Sequence, residues 1–170
     1  AYQTAYLKAN YPVEFMAASM TLDLGNTDKL SDFCVEARRM KVEVLPPSVN
    51  HSGVHFSVED GKIRYAMGAI KGVGEQAVEH IIEVRGDKPF ASIGDFATRI
   101  SARQVNKRTL ESLVNAGAFD ALDSNRARLV AGMDRILGVA QRTDEEALSG
   151  QNDMFGGSEG GEEVHLPNTD

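Results

Sequence analysis

The chain is poor in the features that would stiffen, export or embed it. Cys34 is its single cysteine among 170 residues, so no internal disulfide can brace the fold. No apolar run approaches the roughly 18 residues that a membrane-spanning helix needs. A positively charged opening followed by an apolar core and a small-residue cleavage site is also missing, which sets an expectation of a reducing, cytoplasmic setting. The sequence opens on alanine inside a helical pattern, and we expect a piece of a longer polypeptide. No Asp-x-Asp occurs, so the carboxylate pair that two-metal nucleotidyl transfer or acid–base chemistry would use is not evident, and no catalytic residue is assigned.

What is present is ordinary globular material, 42% apolar and 25% charged, with an uneven distribution of charge. The net charge of −7 looks hostile to nucleic acid until it is divided along the chain. Residues 143–170 hold eight acids and no Lys or Arg, which leaves 18 bases against 17 acids in residues 1–142. The acidity belongs to a glycine-rich end that reads as a solvated, flexible tail.

Hydrophobic spacing predicts helices in three early stretches. Tyr2, Ala5, Tyr6 and Ala9 mark the first, ended by Asn10, and Pro12 suits the first turn of the second, through Met20. The third starts with Thr27 or Asp28 as N-cap and buries Leu30, Phe33, Cys34, Ala37 and Met40. The period then shortens. Residues 42–45 read as a short strand stopped by Pro46-Pro47, and Val54, Phe56 and Val58 pair with Ile63, Tyr65 and Met67 in a hairpin turning at Asp60-Gly61. From about residue 70 the pattern is helical again. One helix runs from Gly74 to Arg85, a second is capped by Ser92, and a third is capped by Asn106 and closed by Gly117. The longest runs from about Ser124 into the 140s. The fold class is α+β, mostly α.

Three stretches carry chemistry. Ile70-Lys71-Gly72-Val73-Gly74 leads straight into a helix, the pattern of a helix-hairpin-helix turn, in which glycines turn the backbone tightly and amides at a helix N-terminus face a phosphate oxygen. An ordinary glycine turn fits the same residues, and Glu75 opposes an anion unless it points away. Arg99, Arg103, Lys107 and Arg108 follow with no acid among them, with Arg85 and Lys88 upstream; they suggest a sequence-independent duplex track, or a solvated helix face. Gln151-Asn152-Asp153-Met154-Phe155 places two large apolar side chains in an acidic, glycine-rich end, as a docking peptide would. His51 and His55 fall in loop and strand rather than on one helix face, so no metal site is assigned, and Cys34 reads as a small buried hydrophobe.

Taken in order, these stretches resemble the alpha subunit of bacterial DNA polymerase III, the C-family replicative polymerase. The resemblance rests on Ala5-Tyr6-Leu7-Lys8, Tyr11-Pro12-Val13-Glu14-Phe15-Met16-Ala17-Ala18 and Leu45-Pro46-Pro47-Ser48-Val49-Asn50-His51-Ser52. It continues through residues 70–74, Val105-Asn106-Lys107-Arg108 and Ala116-Gly117-Ala118-Phe119-Asp120. Two departures stand out: the second turn, 101–106, has no Gly-x-Gly, and Ser48 stands where the family's Pro-Pro-Asp-Val-Asn has an acid.

The resemblance implies that residues 1–68 are the end of a fingers domain. Residues 69–142 are then a tandem helix-hairpin-helix region that holds duplex DNA, and 143–170 a flexible acidic tail with a peptide for the beta sliding clamp. It implies phosphate contacts from Lys71, Gly72, Val73, Gly74, Arg103, Lys107 and Arg108, and clamp contacts from Gln151, Asp153, Met154 and Phe155. Catalytic carboxylates and their Mg2+ would lie in a palm domain elsewhere, so this stretch needs no cofactor and is inert alone. Primer-template duplex, the clamp and other polymerase III holoenzyme subunits are the expected partners, in the bacterial cytoplasm at the nucleoid. A free-standing helix-hairpin-helix adaptor of a DNA repair complex, or a protein scaffold that never meets DNA, would share much of the same sequence.

Overall fold

Asn10 and Pro12 divide the N-terminal helical stretch in two. The computed structural model describes residues 2–150 and 164–168. Helix α1 spans Tyr2–Asn10 and α2 spans Pro12–Leu22, with the proline in the first turn, where its missing N–H costs no helical bond. Helix α3 spans Thr27–Arg39, and its N-cap is Asn26 rather than Thr27 or Asp28. Asn26 keeps an extended backbone, and its side-chain oxygen accepts from Lys29 N at 3.1 Å; Thr27 is already helical.

The sheet has three short strands, β1 (Val44–Leu45), β2 (Ser57–Glu59) and β3 (Lys62–Arg64), in the order β1-β3-β2. Strands β2 and β3 are antiparallel around Asp60 and Gly61, whose φ angles of 52° and 75° make a two-residue turn matched to strand twist. Strand β1 joins β3 in parallel, a pairing that the sequence pattern does not signal. The hairpin is shorter than its alternation suggests because other partners take its ends. Phe56 N donates to Thr21 Oγ1 of α2 at 3.2 Å, and Met67 N donates to Gly53 O at 2.9 Å where the chain enters a 3₁₀ turn, Met67–Ala69.

The remaining helices are α4 (Glu75–Arg85), α5 (Ile93–Arg99), α6 (Lys107–Asn115), α7 (Arg126–Ala131) and α8 (Met133–Ser149). One long helix was expected where α7 and α8 stand. The cap is Asn125, accepting from Arg128 N at 3.0 Å, and the break is Gly132, which is buried under Leu166 and Pro167. A Cβ there would collide with Leu166 Cδ2, so the kink seats the chain's later segment. Two parts of the stretch read as a flexible tail therefore belong to the fold. Residues 143–149 complete α8, where Asp144 accepts bonds from Ser101 and Ala102. Val164 and Leu166 pack on the core, and Arg135 Nη1 donates to His165 O. The acidic composition of 143–170 concealed these few apolar and polar anchors.

The buried apolar residues form two clusters. Met16, Met20, Leu30, Ala37 and Ile63 join α2, α3 and the sheet; Ile81, Phe96, Leu110, Leu113, Phe119 and Ile136 join the later helices. Each large side chain so buried contributes about 1.5–3 kcal/mol of transfer free energy. Phe96 meets Phe90 and Phe119 edge-on, at centroid distances of 5.0 and 4.8 Å.

The Pro46–Ser52 loop latches one cluster to the other. Val49 is buried in the second cluster and its N–H donates to Ala118 O at 3.0 Å. Asn50 pairs both ways with the Phe90 backbone, accepting from its N at 2.8 Å and donating to its O at 3.1 Å. Ser52 Oγ accepts from Ser48 N and donates to Tyr65 O, and Ser48 Oγ accepts from Asn50 N. Ser48 is buried in this network, so the residue that departs from the family pattern has a structural part to play.

Candidate nucleic-acid interface

Gly72 has φ +89°, where an L side chain is strained, and a Cβ would stand 2.7 Å from Ser112 Oγ of α6. The turn at 70–74 is thereby laid against α6. Val73 N donates to Ile70 O at 3.1 Å and the Val73 side chain is buried, so this amide closes the turn instead of facing outward. The first helical bond of α4 runs from Val78 N to Gly74 O. The amides of Gly74, Glu75, Gln76 and Ala77 precede it and have no acceptor within the helix. Nothing lies within 4 Å of a Cβ placed on Gly74, so its backbone stands open to an approaching group.

The second turn reaches the same place from the opposite side. Ser101 O accepts from Gln104 N and Val105 N, both at 3.1 Å, and Val105 is fully buried. Asn106 then caps α6, accepting from Thr109 N at 2.9 Å. Gly72, Val73, Gly74, Arg103, Asn106 and Arg108 line one solvent-open cleft of about 590 Å³, together with Gln76, Ala77, Gln104 and Thr109. Two helix N-termini and two guanidinium groups thus border one hollow, an arrangement suited to oxyanions. Glu75 is exposed and does not border it.

The structure separates the basic residues by task. Arg103 and Arg108 border the cleft, and Lys71 is exposed beside Gly72. Lys107 turns to Asp134 of α8, with Nζ 2.8 Å from Oδ1. Arg99 serves the fold: its Nη2 donates to Val84 O, Arg85 O and Lys88 O at 2.6–3.0 Å, its Nη1 meets Asp95 at 3.3 Å, and its guanidinium sits 4.6 Å from the Phe90 ring centroid. Arg85 Nη1 donates to Val49 O and Ser52 O at 2.9 Å, and burial lowers its affinity for its proton. Lys and Arg counts cannot reveal this division, because a guanidinium that closes a helix C-terminus and one that faces solvent have the same sequence signature.

Gln76 and Gln104 are cleft residues that sequence reasoning did not select, and the available signal was their position beside each turn. The Ala116–Asp120 motif proves architectural. Gly117, at φ +86°, ends α6; Asp120 binds Arg126 in a fork at 3.0 and 2.6 Å; and Ala118 receives the latch. The peptide residues Gln151, Asp153, Met154 and Phe155 lie outside the described residues. Among the described residues no group of three or more His, Cys, Asp or Glu is placed to hold a metal ion, and no helix is long and apolar enough to cross a membrane.

Turns of this geometry, each delivering a helix N-terminus to a shared cleft, define a helix-hairpin-helix protein. The chain belongs to that family: residues 41–129 match the model described as "Helix-hairpin-helix motif". Its similarity to particular proteins is more extended. It is 49% identical over 170 residues to DNA polymerase III subunit alpha of Caulobacter vibrioides, covering 99% of this chain and 15% of that protein. The same subunit of Pseudomonas aeruginosa is 44% identical over 173 residues, covering 92% of this chain and 15% of the relative. That of Thermus aquaticus is 46% identical over 155 residues, covering 91% and 13%. The chain therefore spans about 15% of the length of these curated relatives.

Proposed function

We propose that this chain is the part of a bacterial replicative polymerase alpha subunit that holds duplex DNA without sequence preference and tethers the enzyme to the beta sliding clamp. The observation that carries the duplex reading is the convergence of two turns on one cleft bordered by Arg103 and Arg108. Amides at the start of α4 and at the start of α6 each donate to a phosphate oxygen, and Arg103, Arg108 and Lys71 neutralise its charge. In this reading residues 1–68 close the fingers domain and 69–142 grip the duplex. The nucleotidyl transfer itself, with its Mg2+ and carboxylates, belongs to a palm domain elsewhere in the enzyme, so this chain alone is inactive. Other holoenzyme subunits assemble on the same polypeptide in the cytoplasm.

Contact with about three phosphates predicts a slope of roughly −3 in log affinity against log salt. Fluorescence anisotropy with a labelled duplex measures it. Replacing Lys71 and Arg108 by Glu should weaken binding at least tenfold and flatten that slope; an unchanged slope would remove the reading. The clamp arm rests on Gln151, Asp153, Met154 and Phe155. Two apolar side chains in a short peptide give affinity on the order of micromolar, which a tether raises through an effective concentration of roughly millimolar. A pull-down with a beta clamp, with and without residues 150–157 and with Met154→Ala plus Phe155→Ala, tests it. Equal capture in every case would rule it out.

A further inference from the structure

The second turn has no glycine pair, yet nearly every amide in it has an acceptor. Ser101 N donates to His80 Nε2 of α4 at 2.9 Å. Ser101 Oγ and Ala102 N both donate to Asp144 Oδ2 of α8 at 3.0 Å, and Arg103 N donates to Ser101 Oγ at 3.3 Å. Gln104 N and Val105 N share Ser101 O. Side chains from two other helices thus supply the acceptors that dictate the turn's shape. The amides left over, those of Asn106, Lys107 and Arg108, are the ones at the start of α6, beside the cleft.

We infer that His80 is the positioning residue for this second phosphate-facing turn, and that duplex holding requires its Nε2 to be unprotonated. The inference rests on the duplex reading above. A neutral imidazole accepts at one nitrogen and donates at the other, whereas an imidazolium donates at both. Protonation therefore sets two donors against each other at the Ser101 amide, and the turn that carries Arg103 to the cleft loses its first fixed point. The charged groups on the elements around this junction are Asp144 of α8, which accepts from Ser101, Arg103 within the turn, Arg99 of α5, bonded to the last turn of α4, and Glu79 and Glu83 on α4 itself. The sign of the effect is diagnostic. Added positive charge in general strengthens attraction to DNA, whereas loss of the His80 acceptor weakens it.

The test measures duplex affinity of the chain by anisotropy at constant ionic strength between about pH 8 and about pH 5.5, the span in which imidazoles change charge. The parent is compared with His80→Gln, whose amide oxygen accepts without titrating, and the Ser101 amide shift is followed by NMR without DNA. The expected result is an affinity about fivefold weaker in acid for the parent, the scale of one buried hydrogen bond. The Gln variant should be flat, and the Ser101 shift should follow the imidazole. Parallel pH profiles for parent and variant, with salt-sensitive binding retained, overturn the role of His80 and leave the duplex reading standing. Binding insensitive both to salt and to Lys71→Glu with Arg108→Glu overturns the duplex reading and this inference with it. Should the Gln variant not fold, the parent decides: affinity that is level or rising on acidification refutes the proposal.

Discussion

Gly72 and Gly74 are two residues apart in one turn, yet the structure assigns them different physical duties, and alanine at each separates them. At Gly72, φ is +89° and a new Cβ falls 2.7 Å from Ser112 Oγ. The hydroxyl can swing aside, so the main cost is the left-handed backbone, about 1–2 kcal/mol for an L residue. Gly74 sits at φ −77° and ψ 149°, allowed for any residue, with nothing within 4 Å of its Cβ. Alanine there gains about 0.4–1 kcal/mol from a less flexible unfolded chain and loses a similar amount as a poorer N-cap. Gly72→Ala should therefore lower Tm by about 2–8 °C, and Gly74→Ala should leave it nearly unchanged. Duplex affinity should fall in both, through a displaced turn in the first and through a methyl group over the α4 amides in the second. Scanning calorimetry and salt-titrated anisotropy give the two readouts. A Gly74→Ala protein with parental Tm, parental affinity and parental salt slope would refute the placement of a phosphate at the start of α4.

Three other expectations divide the basic residues and the acid limb. Arg99→Ala removes the guanidinium donor from the carbonyls of Val84, Arg85 and Lys88, of which Arg85 O keeps Lys88 N, and should cost about 2–3 kcal/mol in chemical denaturation. Its destabilisation should greatly exceed that of Arg108→Ala, and comparable losses would contradict the assigned division. Lys107→Ala removes an exposed pair with Asp134, worth about 0–1 kcal/mol, and should change the salt slope of duplex binding less than Arg108→Ala does; the reverse order would place Lys107 at the DNA. Hydrogen bonds from Arg64 to both oxygens of Glu59, at 2.9 and 3.0 Å, hold its carboxyl below the ordinary range. A depressed folded value means that the contribution is present above the unfolded value and disappears as pH falls through the folded one. The stability gap between parent and Glu59→Gln should accordingly close as pH falls below the ordinary glutamate range, and a constant gap would show that the pair contributes nothing.

The sequence was most legible where a local rule decides the outcome. Pro12 in a first turn, Ser92 and Asn106 as caps, Asp60-Gly61 as a tight turn and Gly86 and Gly117 as helix ends all stand where propensity and backbone freedom place them. It was least legible where distant partners decide. The parallel pairing of β1 with β3 joins residues far apart in the chain, and the break at Gly132 depends on Leu166 and Pro167 arriving from beyond α8. The same boundary runs through the cleft. Gly72 and Gly74 announce the first turn, whereas the second is shaped by His80 and Asp144, which no local pattern connects to Ser101.

Helix α8 links the two activities proposed for the chain. Asp144 ties its last turns to the second hairpin, and Gly150, in the left-handed conformation, ends it immediately before the proposed docking peptide. The chain is fixed again from Val164, where Val164 and Leu166 pack on the core and His165 O meets Arg135. Residues 151–163 are thus bracketed at both ends by anchored backbone. Phe155 lies five residues beyond Gly150 in sequence. In the proposed reading, a peptide joined to the fold at both ends rebinds a ring that encircles the held duplex at high effective concentration after each dissociation. Weak individual contacts then suffice for sustained attachment, and either contact can be exchanged without releasing the other.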